Sequence, residues 1–323
     1  MTSKLSISIG PKLTEDLLLL EGITRAGKFL LGNLLQGLEG VEHYQYAGIV
    51  EHLPYMERMG SIGRRTAQAL MKCQLENYIY DQMVGRNLNF RKIDKSAIHN
   101  VPDLERYERR LEEKDDTRAM EQLRAGGLYF PFIAHETMPN IGFFLDLYPK
   151  MKAIHVERNP VDLAYSWHQR GFGKRWGHDP KLFVVAYEDA KGPLPWFAAE
   201  WADEYHRMGE VDRVIRSMLW LFEESRKTYQ ALPGSQKERI AITSYERLLT
   251  KTSDEMKALA KFLGRKAGPH MASIMARERL PAPHPKEKRA QKLAELSRAA
   301  DKKLLDELLE LGEKYEEKDQ YLG

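Results

Sequence analysis

Short, unbroken apolar runs separated by long stretches of helical spacing constrain this chain more than any other feature. Leu17-Leu18-Leu19-Leu20 is apolar at every position and stops at Glu21-Gly22. A strand apolar on both faces belongs inside a parallel sheet that is covered on both sides. Val41–Tyr46, Tyr129–Ala134, Lys152–Glu157 and Arg239–Tyr245 read as strands of the same kind. Between them Phe29–Leu38, Pro160–Gln169, Trp196–Tyr229 (with interruptions) and Ser253–Leu263 carry helical periodicity. Strands alternating with helices imply βαβ crossovers. The expectation is an α/β fold with a mainly parallel central sheet of about five strands flanked by helices, built as a single domain over 1–323 with a helical C-terminal region from about 286.

Composition narrows the function classes. Fifty Lys+Arg against 47 Asp+Glu leave a net charge of +3, spread along the chain, which does not suggest a nucleic-acid partner. No stretch reaches the roughly 18–20 apolar residues needed to cross a bilayer, and the start MTSKLSISIGPKLTEDLLLLEG lacks the pattern of a secretory leader. The single cysteine, Cys73, excludes an intrachain disulfide and a multi-cysteine metal site. A cytoplasmic protein without stable membrane insertion is expected. Asp103–Arg124 reads as one charge-rich helix and Lys286–Lys318 as a similar region, both with solvated faces. Gly171–Asp179 and Lys191–Trp196 read as loops able to cover a site.

The first run leads into Gly22-Ile23-Thr24-Arg25-Ala26-Gly27-Lys28-Phe29, after which Leu31, Leu34, Leu35 and Leu38 follow at helical spacing. Gly22, Gly27 and Lys28 satisfy the opening of G-x-x-x-x-G-K-[ST] in the required strand–loop–helix context, giving a P-loop-type, three-layer fold. Glycines let backbone N–H groups turn inward and the helix N-terminus adds partial positive charge, together an anion seat. Arg25 and Lys28 add mobile charge. Phe29 stands where an NTPase places the hydroxyl that holds Mg²⁺. A tight turn with solvated cations remains the alternative for this loop taken alone.

A second anion site follows Lys152–Glu157. In Arg158-Asn159-Pro160-Val161-Asp162-Leu163-Ala164-Tyr165-Ser166, Asn159 is a good N-cap, Pro160 suits the first helical position and Asp162 suits the first turn. Arg158 leaves the C-terminal end of a parallel strand, where α/β ligands bind. Ser166 shares a helix face with Asn159.

Together the two sites resemble the sulfotransferase family, which uses 3′-phosphoadenosine-5′-phosphosulfate (PAPS). Its first signature, P-[KR]-S-G-[TS]-[TS], corresponds to Thr24-Arg25-Ala26-Gly27-Lys28-Phe29, and its second, R-[DN]-P-x-D-x-x-x-S, is matched in full by Arg158 to Ser166. Ser244-Tyr245-Glu246-Arg247-Leu248-Leu249 followed by Phe262-Leu263-Gly264 is similar to a third family feature. The resemblance implies metal-independent transfer of a sulfuryl group to a hydroxyl or amine by in-line displacement, with Arg25, Ala26, Gly27, Lys28 and Phe29 seating the 5′ end of PAPS, and Arg158 and Ser166 its 3′-phosphate. Ala26, Lys28 and Phe29 replace hydroxyl-bearing residues of the family, so backbone N–H groups and the Lys28 charge must serve instead. Arg25 takes the family's catalytic Lys/Arg position.

His135, at the end of a predicted strand, is the favoured base, followed by Glu51-His52 and Glu136. Arg279 is the candidate for the family's late basic segment, and Trp176 for a wall of an acceptor or adenine pocket. The acceptor is left open among small-molecule, lipid and glycan hydroxyls, as is the oligomeric state. The competing readings are a P-loop kinase or NTPase, which leaves Arg158 and Ser166 unexplained, and a catalytically silent nucleotide-binding relative.

Overall fold

The computed structural model describes residues 5–322. Residues 1–4 and 323, which begin the leader reading and bound the single-domain reading, lie outside them. The strands are β1 (Leu17–Glu21), β2 (Gln45–Tyr46), β3 (Phe130–Ile133), β4 (Lys152–Glu157), β5 (Tyr187–Asp189), β6 (Gly192–Leu194) and β7 (Ile240–Ser244). Five of them form one sheet in the order β2-β3-β1-β4-β7, with every pairing parallel. β5 and β6 form a separate antiparallel hairpin, so Lys191–Trp196, read as a loop, contains a strand, and Gly171–Asp179 contains the short helix Phe172–Arg175.

The leucine run explains the layering. Leu18 and Leu20 pack on one side of the sheet with Ile154 and Val156, whereas Leu17 and Leu19 pack on the other with Phe130 and Phe132. Successive side chains of a strand point to opposite faces, so four consecutive leucines feed two cores. Helices Lys28–Leu35 and Pro160–His168 cover the first face, and Arg64–Met83 with Ile141–Leu147 cover the second.

Two expectations are corrected. The charge-rich segment 103–124 is two helices, Leu104–Glu112 and Thr117–Ala125, interrupted around Lys114-Asp115-Asp116, where acidic side chains favour turns and caps over helix interior. Nor is it merely a solvated face. Arg110 lies 2.9 Å from the fully buried carboxylate of Glu42, and Tyr107 donates to the same group at 2.8 Å. The C-terminal region is likewise two helices, Arg289–Leu296 and Lys302–Glu316. Its Arg289 and Lys292 turn inward onto Asp162. In both cases a cation that looks solvated in sequence has a buried acid as its partner.

Burial raises the cost of a charged Glu42, but Arg110 outweighs it and holds the carboxyl below its ordinary range. Its stabilisation is therefore present at neutral pH and lost as the pH falls through that depressed value. Replacing Arg110 with alanine strands the buried carboxylate and is expected to cost about 3 kcal/mol, read as a lowered denaturant midpoint at pH 7.

Candidate active site

The parallel register brings the two anion motifs together. Leu20 pairs with Ile133 on one side and Ile154 on the other, and Glu21 pairs with His155. The loop after β1, His135 just beyond β3 and Arg158 just beyond β4 therefore emerge at the same edge of the sheet. β2 and β3 lie to one side of β1, and β4 and β7 to the other, so the connections diverge and leave a crevice at the strand ends.

The loop is tightly specified. Gly22 has φ 146° and a Cβ there would stand 2.3 Å from the Val156 carbonyl oxygen; Gly27 has φ 109° and a Cβ would meet the Tyr245 ring at 2.5 Å. Arg25 itself has φ 79°, an unfavourable conformation for a residue with a side chain. Lys28 Nζ donates back to the carbonyls of Gly22 at 2.6 Å and Ile23 at 2.9 Å, fastening the loop from beneath. The N–H groups of Gly27, Lys28 and Phe29 take no partner among the described residues. They open the helix Lys28–Leu35 and are the backbone donors that an anion would use.

A cavity of about 480 Å³ lies over this loop, walled by Arg25, Lys28, Phe29, His135, Arg158 and Tyr245 among others. A neighbouring hollow of about 420 Å³ shares Arg25 and Arg158 and adds Ser166 and Lys292. Arg25 Nε donates to Ser166 Oγ at 3.3 Å, and Arg158 Nη1 donates to the Arg25 carbonyl at 2.9 Å. The Arg158 guanidinium sits 4.6 Å from the centre of the Tyr245 ring, while its Nε is buried without a partner. Asn159 caps its helix by accepting from Val161 N–H, and Pro160 begins the helix. Four of the five loop positions from Arg25 to Phe29 thus stand with Arg158 and Ser166 at one crevice, and Ala26 is buried behind it.

His135 lines the cavity and pairs through Nδ1 with a Glu51 carboxylate oxygen. Glu51 comes from the helix Gly48–Arg58 and also accepts from Tyr46 Oη at 3.4 Å. The remaining base candidates do not line the cavity. His52 lies against Tyr55, and Glu136 is buried, accepting from the Thr24 N–H of the loop. Burial raises the Glu136 pKa against the pull of His135 and Lys28. Arg279 is exposed and borders neither cavity, and Trp176 is buried against Trp167 and Phe197 as core.

Sequence reasoning missed Arg170, which borders both cavities, and Lys95, which reaches the first from a loop without periodicity. Arg170 was findable, since it stands one helical turn beyond Ser166. Lys95 carried no local signal. Burial, then Arg170 and Arg158, lower the Arg25 pKa. Burial also drives Lys28 down to about 8 despite Glu136, Glu21 and Glu51. Beyond burial, the nearby Arg170 and Arg158 charges disfavour a charged Arg25, and an anion between them would oppose that effect. Among the described residues no group of three His, Cys, Asp or Glu is arranged to hold a metal, and no helix is long and apolar enough to cross a membrane.

A parallel sheet with a glycine loop after its first strand and cations at the strand ends is a P-loop-type α/β fold. A sulfotransferase domain model matches residues 82–304, and the chain belongs to that family. The match contains the Arg158–Ser166 signature and begins after the glycine loop. A search of curated proteins finds no match. Solved structures similar to this chain include the sulfotransferase domain of the Synechococcus PCC 7002 olefin synthase (12% identity, 95% of this chain and 96% of that one, TM-score 0.43). Others are the sulfotransferase domain of the curacin biosynthetic pathway (13%, 81% and 77%, TM-score 0.41) and the sulfotransferase STF9 from Mycobacterium avium (13%, 88% and 76%, TM-score 0.40).

Beneath the loop His155 is buried between Glu21, which pairs with Nδ1, and Glu157, 3.7 Å from Nε2. Burial opposes the imidazolium, but the two carboxylates prevail and raise its pKa to about 9. The folded value lies above the unfolded one, so this stabilisation is complete below about pH 6.5 and is lost as pH rises through 9. The denaturant midpoint should fall across that interval, and His155→Gln should flatten the fall. An unchanged slope in the variant refutes the assignment.

Proposed function

We propose that this protein transfers a sulfuryl group from PAPS to a hydroxyl acceptor. The observation that carries the reading is the convergence of Arg25, Arg158 and Ser166 on one crevice whose other wall bears the His135–Glu51 pair. The residues present suit the donor. Free loop N–H groups would receive the 5′ phosphosulfate, with the charge of Lys28, whose Nζ keeps one donor beyond the two on loop carbonyls, acting behind them, while Arg158, with its unpartnered Nε, and Ser166 would receive the 3′-phosphate. Arg170 would add charge there in place of Arg279.

When bound, PAPS supplies the sulfuryl group and a phosphate leaving group. His135 would take the proton of the acceptor hydroxyl at Nε2, because Nδ1 is engaged by Glu51. Glu51 would fix the tautomer and stabilise the imidazolium that forms, the role of a carboxylate orienting a histidine base. Arg25 would hold negative charge developing at the loop. Glu136 would act as a positioning residue for the loop, since its carboxylate accepts from Thr24 N–H. Phe29 offers no ligand where an NTPase holds Mg²⁺, so turnover is expected to persist in EDTA. The exposed thiol of Cys73 suits a reducing, cytoplasmic setting.

Arg25→Ala and His135→Ala should each abolish most turnover. Binding of 3′-phosphoadenosine-5′-phosphate should survive His135→Ala and weaken by ~2 kcal/mol in Arg158→Ala. Calorimetry with the bisphosphate, ATP and GTP, with and without Mg²⁺, checks the donor; preference for Mg-ATP or Mg-GTP overturns it. Bound anion should also raise the Lys28 pKa from about 8. Affinity is then expected to fall as pH rises above that value, with proton uptake on binding. Calorimetry in buffers of different ionisation enthalpy measures that uptake, and its absence near pH 9 would remove Lys28 from the seat.

A further inference from the structure

A second cavity, of about 400 Å³, shares no lining residue with the arginine crevice. His178, Lys191, His206, Arg207 and Arg213 surround it above the buried ring of Tyr205, and no acidic residue lines it. Its volume lies within the range of about 300–1,000 Å³ of small-ligand sites. Arg213 is held rigidly: Nε donates to the Tyr205 carbonyl at 2.8 Å, Nη1 donates to the Gly173 carbonyl at 3.3 Å, and the guanidinium lies 4.5 Å from the centre of the Tyr205 ring. Its Nη2 makes no hydrogen bond within the described residues. His206 stands edge-on to the same ring at 5.8 Å, with Nε2 3.0 Å from Asp189 Oδ1.

The acids that reach Lys191 and His206, Asp203 and Asp189, are solvent-exposed and outside the lining. Within the described residues the side chains of His178 and Arg207 have neither hydrogen bond nor ion pair. Exposed charge of one sign is ordinary on a surface, but here it converges on a concavity around a guanidinium fixed by two carbonyls and a ring. With Nε and Nη1 held by the two carbonyls, Nη2 is left as a rigidly placed charged donor for a phosphate oxygen.

We propose that this cavity is a second binding site, for a soluble oxyanion of the phosphate or pyrophosphate class. The lining's only apolar side chains are half-buried Pro193 and buried Tyr205, which offer nothing to insert into lipid. The site is independent of the sulfuryl-transfer reading, because none of its residues belongs to that machinery.

The test is an NMR titration of the full chain with pyrophosphate, following Gly192, Tyr205 and the Arg213 Nε–H beside Gly27 and Ser166, which report on the crevice. Saturable shifts of the first group are expected, with affinity lowered about tenfold by Arg207→Gln while the crevice signals titrate as before. His178→Gln should weaken the same signals and spare the crevice, which guards against a folding defect in one variant. Shifts confined to the crevice overturn the proposal. So do equal shifts with sodium chloride at matched ionic strength, which would mean diffuse screening. Pyrophosphate-insensitive signals that respond to anionic phospholipid vesicles overturn it in favour of a membrane surface.

Discussion

Mutual repulsion among cations held at one sheet edge is the interaction on which the rest of this structure depends. Arg25, Arg158 and Arg170 border the same crevice, with Lys28 buried beneath the loop. Such a cluster is unfavourable in isolation. The folded chain tolerates it because Glu21, Glu136 and Glu157 are buried close by, and because Lys28 is spent on loop carbonyls. Folding thus holds these cations together at the crevice.

The C-terminal third works as a clasp on the second anion motif. Glu246, at the start of the helix after β7, accepts from the Asn159 N–H at 3.1 Å and from Tyr315 Oη at 2.6 Å. Asp162, one turn along, takes Arg289 and Lys292. Glu157 accepts the N–H groups of Tyr321 at 2.6 Å and Leu322 at 3.0 Å. Each carboxylate is almost wholly buried, so each needs its partner. Arg158 is therefore gripped on both flanks by contacts that are distant in sequence.

Much of this was legible in the linear chain. Lys152–Glu157 was found to the residue and three other strands to within a residue at each end, but Val41–Tyr46, with Glu42, His43 and Gln45 breaking its apolar pattern, contracts to Gln45–Tyr46. The second motif was readable because capping, proline and register all lie within nine consecutive positions, whereas the charged segments were misread. Periodicity reports which face of a helix is polar, but not whether a carboxylate waits opposite. Arg110 and Glu42 are 68 residues apart, and Lys292 and Asp162 are 130 apart.

The sequence by itself determined the layer architecture, the glycine loop and the arginine motif, because these depend on local sterics and on hydrophobic alternation. It also nominated His135 and Glu51 separately. Only the tertiary structure decided that these two form a pair, that Glu136 serves the loop, that Arg279 stays outside and that Arg170 and Lys95 belong inside. Those outcomes depend on the distance between side chains brought together by parallel register, and electrostatic interaction is a function of that distance rather than of separation along the chain.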